Sequence, residues 1–297
     1  MDLPAGLSSR PLTMADAGAV TAVIQAQELA DIGEVAIEEA DIVADWQRPS
    51  QDLAASTLGV VDGDRLVGYV EHSGHDRADA AVHPEHRGRG IGTFLADWLE
   101  DRARTNGATV VGMPVPQGAP GDRLLAARGW KVRWTSWILA LPAGKEIATR
   151  PLPDGFTIST ATPAQHRDMW TVIEDAFLEW SDRDREPFED FAARTIERPG
   201  AEPWNLRVLL DPDGAVVGVA HVVVADACAW VERLAVRRDL RGRGLAQALL
   251  CDAFSVARAH GTLRSELSTD SRTGALGLYE RVGMEVTSTW VNRAVEL

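Results

Sequence analysis

The chain has 297 residues, 45% hydrophobic and 25% charged, which is ordinary globular composition and excludes a wholly disordered or fibrous protein. That length exceeds one typical domain of ~100–200 residues, so two domains are expected, and a net charge of −14 repels phosphate backbones and argues against nucleic acid as a partner. No stretch approaches the ~20 apolar residues of a membrane helix. The first ten residues show no secretory pattern, and the two cysteines, Cys228 and Cys251, fit neither a disulfide framework nor a zinc spacing, so a cytoplasmic protein is expected.

Residues 14–30 are expected to be helical. Residues 57–61 form a β-type run, Asp62-Gly63 is a hairpin signal, and 65–72 reads as the return strand. A third strand near 77–82 leads into a glycine-rich loop and a helix. Residues 142–153, with three prolines and a glycine, read as a linker. The series then repeats. A helix is expected at 163–177, strands at 206–210 and 215–224 around Asp211-Pro212-Asp213-Gly214, and a third strand at 229–236. A second glycine loop follows, then a helix whose apolar face takes Leu245, Leu249, Cys251, Ala253 and Val256. A strand and a short helix close each copy.

The repetition is one of sequence as well as pattern. Arg87 and Arg241, Asn106 and His260, and Gly129 and Gly283 each stand 154 residues apart. Upstream, Gly68 and Gly218 stand 150 apart, so the second copy gains about four residues before its loop. The period far exceeds that of a solenoid repeat and marks a whole domain duplicated. The expected limits are 1–143, a linker at 144–153, and 154–297. Each copy is expected to be α+β, a mixed and largely antiparallel sheet flanked by helices.

Each glycine loop lies between a strand and a long helix. The first carries Arg87, Gly90 and Gly92 in an Arg-x-x-Gly-x-Gly pattern, and the second Arg241, Gly244 and Ala246. Small residues admit close backbone approach, and a helix N-terminus offers unpaired N–H groups and the positive end of its dipole, which together suit a phosphate. Neither loop has the Gly-Lys-Ser/Thr of a Walker motif, and the preceding hairpins argue against a parallel Rossmann start.

The strand-loop pattern Val82-His83-Pro84 through Arg87 to Gly92, its partner at Val236 to Ala246, and Gly274-Ala275-Leu276-Gly277-Leu278-Tyr279-Glu280-Arg281-Val282-Gly283-Met284 resemble motifs A and B of the GNAT acyl-CoA N-acyltransferase superfamily. The resemblance covers almost the whole chain and implies two tandem GNAT-type domains, as in two-domain actinobacterial acetyltransferases. It implies acetyl-CoA as acyl donor. Backbone amides of Arg241, Gly242, Arg243, Gly244, Leu245 and Ala246 would hold the pyrophosphate, and the pantetheine arm would pair along Leu234, Ala235 and Val236. The counterparts in the first copy are Arg87, Gly88, Arg89, Gly90 and Gly92. One departure is Arg272, where the family often has Asn seven residues before the motif B tyrosine.

Acetyl transfer to an amine requires a proton taken from the amine and a donor for the leaving thiolate. The resemblance places Tyr279 as the donor. Glu232, in an otherwise mostly apolar strand, is the candidate base, with burial expected to raise its pKa. The family's base often lies two residues earlier, where this chain has Trp230. In the first copy Tyr279 maps to Leu125 and Glu232 to Ala78, so the C-terminal copy is expected to catalyse and the N-terminal copy to be degenerate.

Two corresponding segments are acidic: seven acids and no base over 28–45, and eight acids with two arginines over 174–190. A negative wall would attract a cationic amine, and Trp180 and Trp204 could stack on it. The expected function is therefore acetyl-CoA-dependent N-acetylation of a small, cationic amine: an amine metabolite, an amino sugar, a cysteinyl pseudo-disaccharide or an aminoglycoside-like compound. Protein lysine or N-terminal acetylation, and a non-catalytic acyl-CoA sensor or assembly module, are the alternatives. The pairs His72/His75 and His83/His86 lack a third ligand in their pattern, so no metal site is expected.

Overall fold

The computed structural model describes residues 3–74 and 76–297; His75, one of the paired histidines, lies outside the described residues. The chain divides into two compact units. Unit 1 comprises Met1–Ser136 and Ser288–Leu297, and unit 2 comprises Trp137–Thr287.

Unit 1 opens with β1 (Leu7–Arg10), a 3-10 turn at Met14–Asp16, and α1 (Ala17–Asp31). Thr13 and Asp16 cap this entry reciprocally, which fixes the helix start. Then come α2 (Glu39–Trp46), the single turn α3 (Leu53–Ser56), β2 (Thr57–Asp62), β3 (Arg65–His72), β4 (Ala78–Val82), α4 (Ile91–Thr105), β5 (Val110–Pro116), α5 (Pro120–Ala127) and β6 (Lys131–Ala140). Strands β1-β2-β3-β4 form an antiparallel sheet in that order. The β2–β3 turn is tight because Gly63 takes φ +60°, a conformation other residues rarely adopt. Ala17, Val20 and Ile24, at helical spacing on α1, pack on Leu66, Tyr69 and Ala81 of one sheet face. Ile91, Leu95, Leu99 and Ala103 of α4 pack on Val67, Val70 and Ala78 of the other.

The chain's last strand, Glu285–Glu296, completes this unit. It runs antiparallel to β5 from Trp290 opposite Pro116 to Glu296 opposite Val110, and Val291 joins the α4 core.

Unit 2 repeats the plan: β7 (Thr157–Thr160), α6 (His166–Phe177), α7 (Phe188–Thr195), β8 (Leu206–Leu210), β9 (Val216–Ala225), β10 (Cys228–Val236), α8 (Leu245–Ala259), β11 (Arg264–Asp270), α9 (Leu276–Val282) and the first three residues of β12, the strand Glu285–Glu296. Strands β7 to β10 are antiparallel in sequence order, and β11 joins β10 in parallel. Met169, Val172 and Ile173 of α6 and Phe191 of α7 cover one face. Leu245, Leu249, Phe254 and Ala257 of α8 cover the other, with Leu139 and Leu141 from the end of β6.

The expected limits of 1–143 and 154–297 differ from this division. Leu139, wholly buried, belongs to the core of unit 2, and residues 288–297 belong to unit 1. The stretch expected to be a linker is fastened to unit 2. Lys145 Nζ donates to the Gly283 carbonyl at 2.9 Å, Arg150 to the Arg281 carbonyl at 2.9 Å, and Ile147 and Leu152 pack on the core. Among the described residues no helix is long and apolar enough to cross a membrane.

Candidate active site

In unit 2 the candidate site forms around β10. Its parallel pairing with β11 runs from Cys228 opposite Arg264 to Val231 opposite Leu267 and stops there. Beyond it residues 233–236 stay paired with β9, and among the described residues no strand pairs with the other backbone edge of 232–236, which is open to an extended ligand. Leu234, Ala235 and Val236, the residues expected along a pantetheine arm, all lie on this edge.

A bulge at Glu232 shifts the β9–β10 register between Val231 and Arg233. One extra residue reverses the alternation of side chains. Ala229 and Val231 face α8 before the bulge, and Leu234 and Val236 face it after. Arg233 and Ala235 are thereby turned toward α6. Glu232 itself is exposed and accepts a 2.8 Å hydrogen bond from Trp230 Nε1. The burial on which its role as a base rested is absent, because a bulged residue projects from the strand instead of packing.

Beyond β10 the loop backbone turns on Gly242 and Gly244, both at φ +78°, and Gly244 caps the 15-residue α8. A Cβ at either glycine would enter open space, which leaves room for a ligand against the backbone. Leu245 is buried and Ala246 half-buried at the start of α8, so these two anchor the helix whose first N–H groups face the loop. Arg243 is exposed. Arg241 is not merely solvated. It forms a two-point pair with Glu179 at 2.7 and 2.8 Å and reaches the Val236 carbonyl, so it ties the loop to the end of α6.

Tyr279 lies on α9 in the core facing α8, 8% exposed, and burial pushes its phenol up to about 12. It is therefore neutral at physiological pH and can give a proton. Among the described residues its hydroxyl has no hydrogen-bond partner. Cys228 and Cys251 are buried and unpaired, and burial raises the Cys228 thiol to about 12, so neither is a nucleophile.

The acidic segment is partly neutralised by arginines, two of its own and others from outside it. Glu174, fully buried, lies below the usual carboxylate range: burial pushes it up, but two hydrogen bonds from Arg183 and one from the Glu186 N–H outweigh that. Asp175 pairs with Arg185, and Glu186 with Arg194. Asp168, Asp175 and Glu179 line a cavity of about 440 Å³ whose other wall holds Arg237 and Arg238, so the expected negative wall is mixed in charge. Both tryptophans are also committed. Trp180 lies 4.7 Å under the Arg272 guanidinium, which also pairs with Asp270, and Trp204 stacks on His260 at 4.3 Å.

Unit 1 repeats the loop. Gly88 and Gly90 take φ +75° and +89°, and Arg87 pairs with Asp31 at the end of α1 at 2.7 and 2.9 Å. Arg89 pairs with Asp62. Gly92 has a packing role: a Cβ there would meet Leu124 at 2.9 Å, so glycine lets α5 close on α4. Leu125, in the place of Tyr279, is buried core, and β4 pairs with β3 without a bulge.

Unit 1 also holds titratable groups that the repeat alignment passed over. Glu71 on β3 stands opposite Asp79 on β4 and accepts from Trp46 and Gln51, each at 2.8 Å. Burial, with Asp45 adding, raises Glu71 to about 8. Protein crowding around the Asp79 carboxyl raises it to about 6, although the residue keeps exposed surface. A single acid in each of two largely apolar strands was the available signal. A carboxyl raised in the fold stabilises while protonated and loses that contribution as pH climbs. Melting temperature should therefore fall between about pH 5 and about 8 more steeply in the wild type than in Glu71→Gln, by differential scanning calorimetry. Parallel curves would remove Glu71 as the source.

His83, Glu85 and His86 bring one ligand atom each within 4.8 Å of one another. Arg65 occupies this group, with Nη2 2.8 Å from His83 Nε2 and Nη1 3.3 Å from Glu85, a cation where a metal would need a vacancy.

The model of the Acetyltransferase (GNAT) family matches residues 21–118 and again 167–284. A mycothiol acetyltransferase from Salinispora arenicola is 31% identical over 254 residues, 80% of each chain. The GCN5-related N-acetyltransferase of Sphaerobacter thermophilus superposes with a TM-score of 0.77 at 28% identity, over 99% of this chain and 97% of that one. A tandem GNAT protein from the clavulanic acid biosynthesis pathway shares the fold, with a TM-score of 0.75 at 18% identity over 98% of both chains. With two matched regions that carry the two glycine loops, the chain is a tandem protein of the Acetyltransferase (GNAT) family.

Proposed function

We propose that unit 2 transfers the acetyl group of acetyl-CoA directly to a small amine. The observation that carries this reading is the open backbone edge of β10 over residues 232–236, running into the left-handed glycine loop at the N-terminus of α8. An extended arm can pair with that edge while loop amides and the helix dipole meet a pyrophosphate. The bound thioester supplies the activated acyl group, and the chain's residues orient it and manage two protons. Tyr279 holds a proton for the departing sulfur. Glu232, exposed at the bulge, passes the amine's proton toward solvent. The name of the Salinispora relative supports a small-molecule acceptor. Unit 1, with the loop but Leu125 in place of tyrosine, supports acyl-CoA binding without this proton chemistry. Buried, unpaired cysteines suit the reducing cytoplasm.

Thiol release from acetyl-CoA across an amine panel tests the reading, and no turnover with any amine would overturn it. Gly244→Ala places a Cβ in the open space of the loop and strains a backbone at φ +78°. The expected result is a KM for acetyl-CoA raised about tenfold or more, and an unchanged KM would remove this loop from the donor site.

A further inference from the structure

His221 on β9 and Arg233 on β10 stand opposite each other in the antiparallel register. Both are buried, at 2% and 9% exposure. The bulge at Glu232 turns Arg233 toward α6, where its guanidinium carbon lies 5.9 Å from the centre of the Phe177 ring. Among the described residues Arg233 has no carboxylate within ion-pair distance, and neither its Nε nor His221 Nδ1 has a hydrogen-bond partner. The nearby acids bond elsewhere: Glu174 to Arg183, Glu186 through Oε1 to Arg194 while its buried Oε2 has no hydrogen-bond partner, and Glu232 to Trp230.

A buried guanidinium with no carboxylate at bonding distance is costly, because the fields of Glu186, Glu232 and Glu174 replace its lost hydration only in part. Burial and the neighbouring Arg194 both disfavour its charge, and burial followed by Arg233 holds His221 down at about 3, so the imidazole is neutral with one nitrogen able to donate. A fork of N–H donors beside a neutral imidazole N–H matches a planar, bidentate anion. Unit 1 shows that this position is not simply a basic feature of the fold. There the facing pair on the corresponding strands is Glu71 and Asp79, two acids.

We propose that Arg233 and His221 form a carboxylate subsite, so that the amine acetylated by unit 2 carries a carboxylate, as an amino acid does. The inference rests on the acetyl-transfer reading for the identity of the ligand. It replaces a purely cationic acceptor by a zwitterionic one, and it fits the partly neutralised acidic segment better.

The test uses alanine, leucine and methionine, each offered to the full chain as the free carboxylate and as the carboxamide in the thiol-release assay. Wild type is expected to favour the carboxylate member at least tenfold in kcat/KM. Arg233→Gln should bring that ratio to about one, with Arg233→Lys between the two. A ratio near one in the wild type, or a ratio unchanged in Arg233→Gln, overturns the subsite. If no member of any pair is acetylated, the acetyl-transfer reading for these amines fails separately, and calorimetric titration with N-acetyl-leucine and N-acetyl-leucinamide decides the subsite. Saturable binding of the acid alone, lost in Arg233→Gln, supports it. Equal binding of acid and amide, or no binding of either, overturns it.

Discussion

Tyr279→Phe is expected to lower turnover about a hundredfold or more while the KM for acetyl-CoA stays within a few-fold of wild type. A thiolate leaves faster when a proton is delivered to sulfur as the C–S bond breaks. The donor must be protonated at working pH and close to the reacting bond. Burial secures the first condition, since a phenol raised to about 12 is fully protonated through neutral pH. The second is supported by the position of α9 against the start of α8, with Tyr279 and Leu245 in one core. Phenylalanine keeps the ring and its packing and removes only the hydroxyl, so a loss confined to kcat isolates the proton. A hundredfold loss corresponds to about 2.7 kcal/mol of transition-state stabilisation. The chain's other tyrosine gives a control. Tyr69 is buried in unit 1 among α1 and α2, and Tyr69→Phe should leave turnover unchanged. Unchanged turnover in Tyr279→Phe would take the hydroxyl out of the chemistry.

The parts of this site that the sequence announced are those with strong local signals. Asp62-Gly63 and Asp211-Pro212-Asp213-Gly214 dictate turns whatever surrounds them, and β2, β3 and β8 begin where the pattern places them. The glycine loops were legible because left-handed backbone demands glycine and the demand recurs 154 residues on. The expected burial of Glu232 failed for a physical reason. Its strand alternates regularly on paper, but one bulged residue reverses inside and outside, sending Glu232 to solvent and Arg233 into the interior. No local residue type announces that bulge. The acidic segments misled in a related way. Counting charges shows their sum, whereas the bidentate pairs Arg183–Glu174 and Arg241–Glu179 form only when α6, α7 and the loop are packed. The facing pairs Glu71–Asp79 and His221–Arg233 required the register, which a repeat alignment of single positions does not supply.

The second large effect is expected from the chain's end. A chain stopped at Thr287 should fail to fold in unit 1, although it retains every residue from 3 to 136. Pairing of β5 with the last strand extends over seven residue pairs, from Trp290–Pro116 to Glu296–Val110. Those backbone bonds contribute about 0.5–1.5 kcal/mol each. Val291 and Ala294 are buried, and Arg293 fastens the strand through Asp122 at 2.5 Å and the Trp130 carbonyl at 3.1 Å. The approach is close enough that a Cβ at Gly112 would meet the Ala294 Cβ at 2.9 Å, so no side chain stands ready to cover the gap. Loss of the strand leaves the β5 edge open and the core around Val111 and Val115 uncovered, against a total domain stability of only about 5–15 kcal/mol. Hydrogen exchange checks this by segment. Amides of β3 and of residues 110–116 should lose protection in the truncated chain while those of β9 and α8 keep it. Retained protection at 110–116 would show that unit 1 closes without its borrowed strand. The selective loss would instead establish why limits drawn at the linker misplace the domains: 154–297 carries a strand that unit 1 needs, and 1–143 carries Leu139 and Leu141, which the core of unit 2 needs.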